Sequence, residues 1–163
     1  MDIEGELMLS GRLVHLIESH WEEIISGVIS RIRREPELTH YRATVESDLR
    51  EKGRILLENL GHWLTGGNGD EITHHYEELG ALRLRDGMPL SESVHVLCLV
   101  RERVLDFAEE HVYSKTTIEL YEQEELDRRL MRFFDLLTIH MVKGYERALR
   151  RESPRAGAAS YTL

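Results

Sequence analysis

Leu126, Leu130, Phe133, Leu137, Met141, Tyr145 and Leu149 recur at steps of four, then three, then four. Only an α-helix brings residues at those steps onto one face. A Thr-x-x-Glu capping box at Thr116-Thr117-Ile118-Glu119 marks where this helix opens. At about 1.5 Å per residue it should be roughly 50 Å long, against a small domain only about 30 Å across. Much of it is therefore expected to project past its own core. Phe134, Ile139 and Val142 widen the apolar face beyond what one neighbour covers. That pattern predicts a second copy packed on the helix, with Leu130, Phe133, Phe134, Leu137, Met141 and Tyr145 at the interface. The alternative is a helix that bends or frays early.

The rest of the chain carries the same periodicity. Leu13, Ile17, Trp21, Ile24, Val28 and Ile32 predict one helix near 7–34, halted at Pro36 because proline disfavours a helical residue before it. Val45, Leu49, Leu56, Leu60 and Leu64 predict a second near 43–65, ended by Gly66-Gly67-Asn68-Gly69. Asp70 is the expected N-cap of a third helix over 71–86, with Ile72, Tyr76, Leu79 and Arg83 on one face. A fourth, about 90–112, carries Val94, Leu97, Arg101, Val104, Leu105 and Ala108. No strand pattern, internal repeat or low-complexity segment interrupts the series. The fold class is all-α, about five main helices in a single domain over 1–152. The small, turn-forming residues of 153–163 read as a disordered tail or the start of a linker.

A chain of 163 residues fits one core of ordinary size. Its 41% apolar and 31% charged residues suit a globular helical protein. A formal net charge of −9 argues against nonspecific nucleic-acid or anionic-membrane binding, because both need a basic face. The one dense basic run, Arg31, Arg33 and Arg34, falls at a helix C-terminus that the helix dipole favours. The single cysteine, Cys98, excludes an internal disulfide and suits a reducing cytoplasm. The acidic start MDIEGELMLS shows no signal peptide, and no apolar run is long enough for a membrane span.

Chemistry finds little purchase. Glu-x-x-His occurs at Glu37/His40, Glu71/His74 and Glu92/His95, a spacing that ferritin-like bundles use for metal. In so acidic a chain such pairs arise by chance. Glu37 adjoins Pro36 in an expected loop, and Glu71 and Glu92 fall in first helical turns that favour acids. His74, His75 and Glu78 read as a solvated face. Gly66-Gly67-Asn68-Gly69 matches no phosphate-binding fingerprint. Cys98, between Leu97 and Leu99, reads as an inert small apolar residue. No catalytic set and no metal site is expected.

Two longer motifs remain: Leu60-Gly61-x-Trp63-Leu64-Thr65-Gly66-Gly67, and Tyr76-x-x-Leu79-Gly80-x-x-Arg83-x-x-x-Gly87-x-Pro89-Leu90-x-Glu92. With Phe133-Phe134-Asp135 and Gly144-Tyr145-Glu146-Arg147, they resemble the N-terminal sensor domain of RsbR/RsbRD-type proteins, co-antagonists of the RsbT kinase in bacterial stress signalling. The resemblance covers roughly residues 40–150 and rests on glycines, turns and apolar positions.

The resemblance implies a globin-like bundle that binds no haem, and a cytoplasmic, non-enzymatic module without cofactor. Haem-binding sensor globins resemble a pattern with the proximal histidine four residues before a Gly-Leu-Pro elbow. Here the elbow is Gly87-Met88-Pro89 and the residue four before it is Arg83. An arginine has no lone pair to offer iron at ordinary pH. His95 or His62 would have to replace it, which keeps a haem-binding gas sensor as the alternative and a ferritin-like di-metal protein as a weaker one. Arg83 and Tyr76 would face the space a porphyrin would have filled, with His95 as a further ligand-binding candidate. A buried guanidinium must be paired. A glutamate from a neighbouring helix, or simple exposure, is the plain expectation for Arg83; a small anionic ligand is the sharper one. The family passes its signal through the long last helix to an output, commonly a STAS domain. None follows Leu163, so an excised sensor domain or a free-standing homologue acting on a downstream signalling protein is expected.

Overall fold

The computed structural model describes residues 3–65, 69–112 and 116–152; of residues 3–10 and Gly69 only the backbone is described. The expected tail and the Gly66-Gly67-Asn68 run lie outside the described residues. Those residues form helices α1 (Ile3–Ser19), α2 (Trp21–Arg34), α3 (Thr39–Ala43), α4 (Glu46–Leu57), α5 (Leu60–Leu64), α6 (Gly69–Arg85), α7 (Leu90–Glu110) and α8 (Thr117–Glu152), with no strand among them. The all-α reading holds, with its long C-terminal helix.

Two expected helices are each divided. The first bends at His20, whose backbone leaves the helical region (φ −110, ψ 23). Its Nδ1 lies 2.8 Å from the Leu16 carbonyl oxygen, which already accepts the His20 N–H at 3.0 Å. The ring sits 5.6 Å from Phe107, itself stacked on His111 at 3.9 Å where α7 ends. The second expected helix starts only at Glu46, because Thr44 and Val45 are extended, and pauses at Glu58-Asn59 before α5. One helical turn, α3, was absent from the expected series. Its first-turn donors have no carbonyl of their own to bond. The carboxylate of Glu92, on α7, supplies the acceptor: His40 N–H at 2.9 Å and Tyr41 N–H at 3.4 Å. Glu92 is only 6% exposed.

Helix α6 starts at Gly69, so Asp70 lies in its first turn and not at the cap. Its end is as expected. Gly87 takes the left-handed conformation (φ 69) that other residues avoid. The Gly87 N–H donates to Leu84 O at 3.1 Å and the Met88 N–H to Arg83 O at 2.9 Å, the paired bonds of a Schellman motif. Pro89 (φ −60, ψ 135) then sets the start of α7.

Helix α8 has 36 residues and is about 54 Å long. Thr116 Oγ1 accepts the Glu119 N–H at 3.3 Å, the first half of the expected capping box. Its most extensive partner is α6. The two backbones meet at Gly80 and Gly144: a Cβ on Gly80 would overlap the Met141 carbonyl oxygen, and one on Gly144 the Glu77 carbonyl oxygen. Glu77 joins the crossing from its edge, 3.2 Å from His140 Nδ1 and 3.7 Å from Arg147.

This packing corrects the expected role of the stripe. Leu130 and Leu137 are 0% exposed, Phe134 and Met141 2%, Phe133 7%, and Tyr145 is half-buried, all within one chain. Leu130, Phe133, Phe134, Leu137 and Met141 belong to the protomer's own core, because α1, α5, α6 and α7 all pack along α8, whereas Tyr145 is only partly covered. Burial on α8 runs from Glu122 to Gly144, so only short ends pass beyond the core. What α8 leaves in solvent is a different set: Ile118, Leu120, Tyr121, Met131, Leu136, Ile139 and Leu149. Among the described residues no helix is long and apolar enough to cross a membrane.

Candidate ligand cavity

Helices α2, α4, α6 and α7 line a partly open cavity of about 70 Å³, completed by Tyr41 from α3 and Met141 from α8. Most of its wall is aliphatic, including Val28, Ile29, Leu56, Leu79, Leu97 and Val100. The polar remainder is Tyr41, Lys52, Tyr76, Arg83 and Ser93. Tyr76 and Arg83 reach it together because they stand two turns apart on one face of α6.

The polar groups are linked. The Tyr41 hydroxyl donates to Ser93 Oγ at 3.1 Å. The Arg83 guanidinium carbon lies 5.3 Å from the centre of the Tyr41 ring, within cation–π range. Behind Tyr41, the Glu92 carboxylate that holds α3 also meets His40 Nδ1 at 2.5 Å. Burial pushes the Tyr76 hydroxyl well above the ordinary phenol range, with the Tyr41 phenol adding to the rise and Arg83 opposing it. Tyr41 is raised chiefly by burial too, against the pull of Arg83 and Ser93. Both phenols keep their protons at neutral pH and remain O–H donors.

No glutamate stands beside Arg83, which is instead partly exposed at the surface groove. Its Nε is buried without a hydrogen-bond partner, and no carboxylate among the described residues is in ion-pair range. Lys52 also lacks an ion-pair partner among them. Leu49, Lys52 and Arg83 line both this cavity and a groove of about 500 Å³ on the surface. They form the wall between interior and solvent. Acidic groups in the groove are Asp48, Glu51 and Asp86, of which Glu51 is engaged by Arg54 at 2.6 Å.

The other expected residues fall elsewhere. Helix α7 turns Ser93, Val96, Leu97 and Val100 to the cavity, so half-buried His95 is off that face. His62 is on α5, half-exposed and 3.9 Å from Glu71. His40 meets Glu92 across helices instead of its sequence neighbour Glu37, and among the described residues no three His, Cys, Asp or Glu side chains gather as a metal site. At about 70 Å³ the cavity is also far below the ~300–1,000 Å³ of sites for drug-sized ligands, and a porphyrin is larger than most of those.

A family model described as the RsbT co-antagonist protein rsbRD N-terminal domain matches residues 22–159. The chain belongs to this family. No curated protein and no solved structure gives a significant match. The match takes in α2 to α8, and the structure gives several motif residues of this rsbRD N-terminal domain a physical task. Gly80 and Gly144 admit the crossing of α6 and α8, Gly87 and Pro89 make the elbow, and Glu92 holds α3. Tyr41, Lys52 and Ser93 complete the cavity without having been singled out in the sequence. Tyr41 lay next to a proline-containing loop, and Lys52 and Ser93 are ordinary helix residues until their neighbours are known.

Proposed function

We propose that this rsbRD N-terminal domain is a non-catalytic signal-input module, a globin-like bundle without haem that acts on an RsbT-type kinase or a linked output domain. The observation that carries this reading is mechanical. Helix α6 lines the cavity with Tyr76 and Arg83, and the same helix is seated on α8 through Gly80 and Gly144, where no side chain can cushion a shift. A ligand that moved α6 by a fraction of an ångström would have to move α8 with it. Close-packed contacts of this kind pass between discrete arrangements and do not deform smoothly, so a differential contact at one end biases the other. Arg83, in the place of the proximal histidine before the elbow, supports the non-haem form.

The output in this reading is a pair of α8 helices from two copies. The exposed Leu136 and Ile139, three residues apart on α8, supply an apolar strip for it. The direct test is binding of an RsbT kinase to the full chain by titration calorimetry. A stoichiometric complex is expected, and its absence, with the protein folded, would overturn the assignment to RsbT antagonism.

A further inference from the structure

The unpartnered cations sit against an unusual wall. Arg83 brings five N–H donors, and its contact with the Tyr41 ring consumes none of them. Lys52 adds a second positive charge, and the protonated Tyr76 phenol and the Ser93 hydroxyl, which accepts from Tyr41, add hydroxyl donors. A guanidinium nitrogen buried without an acceptor is a costly arrangement that an anion would relieve. The rest of the lining is aliphatic, with Val28, Ile29, Leu97 and Val100. An inorganic oxyanion would satisfy the donors and leave this surface unused. A long fatty acid would not fit: the volume is about half that of the ~150 Å³ cavity known to take benzene, which scales to roughly three non-hydrogen atoms, room for the two or three carbons of a short acid with its carboxylate oxygens in the wall at Lys52 and Arg83. The position of Lys52 and Arg83 in the wall shared with the outer groove gives the guest an entrance.

We infer that the cavity binds a short-chain monocarboxylate of two to three carbons, its carboxylate on the Arg83 guanidinium with Tyr76 and Lys52 beside it and its alkyl end against Val28, Leu97 and Val100. The inference rests on the input-module reading above and names the class of signal that module takes. Carboxylate and guanidinium form two parallel hydrogen bonds, which also fixes which way the alkyl end points.

The test is titration of the full chain with acetate, propionate and hexanoate, alongside propionamide and nitrate, followed by calorimetry and by chemical shifts of the cavity methyl groups. Acetate and propionate are expected to bind at one site. Propionamide, hexanoate and nitrate should bind at least about tenfold more weakly. Arg83→Gln should weaken propionate binding about tenfold or more, and Tyr76→Phe, which keeps the ring, by about threefold. Melting curves of both variants establish that they are folded. No binding by the wild type, equal binding by folded Arg83→Gln, or nitrate binding as well as propionate would each overturn the proposal. If propionate fails while the kinase binds, only the ligand class is lost; if propionate binds and the kinase does not, the signalling reading fails instead.

Discussion

Glu92 and Asp127 are both carboxylates on long helices, and their surroundings set them opposite tasks. Glu92 is buried but surrounded by donors, and its charge secures α3 to α7. Asp127 on α8 has Oδ1 buried with no hydrogen-bond partner, and burial, followed by the charges of Glu109 and Glu124, pushes its carboxyl above the usual range. The folded chain therefore holds that proton at pH values where the unfolded chain has released it. Since stability changes with pH as the protons bound unfolded minus those bound folded, Asp127 removes stability as pH rises through its folded value. Asp127→Asn is expected to stabilise the protein at pH 7, by about 0.5 kcal/mol or somewhat more, as relief of surface charge strain commonly does. The gain should shrink towards zero below the carboxylate range. Denaturant melts of both proteins at pH 7 and pH 3.5 check this; a gain equal at both values would mean that charge is not the cause.

Glycines do their work at the level of elements, and two of them predict different costs. At Gly87 there is open space around a would-be Cβ, so only the left-handed backbone opposes a side chain. Gly87→Ala should cost about 1 kcal/mol, near 2–4 °C in melting temperature for a domain of this size. At Gly144 the backbone is ordinary helix, and the obstacle is the carbonyl of Glu77. Neither backbone has a flexible end to yield, so Gly144→Ala should cost about 3 kcal/mol or more and displace α6 from α8. Calorimetric melting temperatures rank the two. A milder loss for Gly144→Ala would mean that the helices separate easily, which would also weaken the proposed link from cavity to output. The capping of α3 by Glu92 is the third device at this scale, and it joins a five-residue helix, too short to persist alone, to the start of α7.

For the whole molecule, the consequence of α1, α5, α6 and α7 packing along the α8 stripe is that a second copy would use another face. Ile139→Glu is expected to leave the melting temperature within about 1 °C, because exposed positions contribute little to the fold. It should weaken self-association measured by sedimentation velocity at least tenfold. A wild-type monomer at 100 µM (about the concentration at which weak dimers assemble) would remove the paired-helix output from the proposal.

The all-α class, the elbow at Gly87-Met88-Pro89 and the long last helix were legible in the chain because each depends on local rules: a 3.6-residue period, a left-handed glycine, a proline that cannot continue a helix. Tyr76 and Arg83 could be placed on one face for the same reason. Legibility ended where the cause lay in another element. The bend at His20 goes with Phe107 and His111, α3 depends on a carboxylate more than fifty positions away, and the cavity needs Tyr41, Lys52 and Ser93 from three helices. Periodicity marks which face of a helix is apolar but is silent on what covers it. Leu130, Phe133, Leu137 and Met141 thus pointed correctly to a buried stripe, and only the packing of α1, α5, α6 and α7 along α8 decided that the cover comes from the same chain.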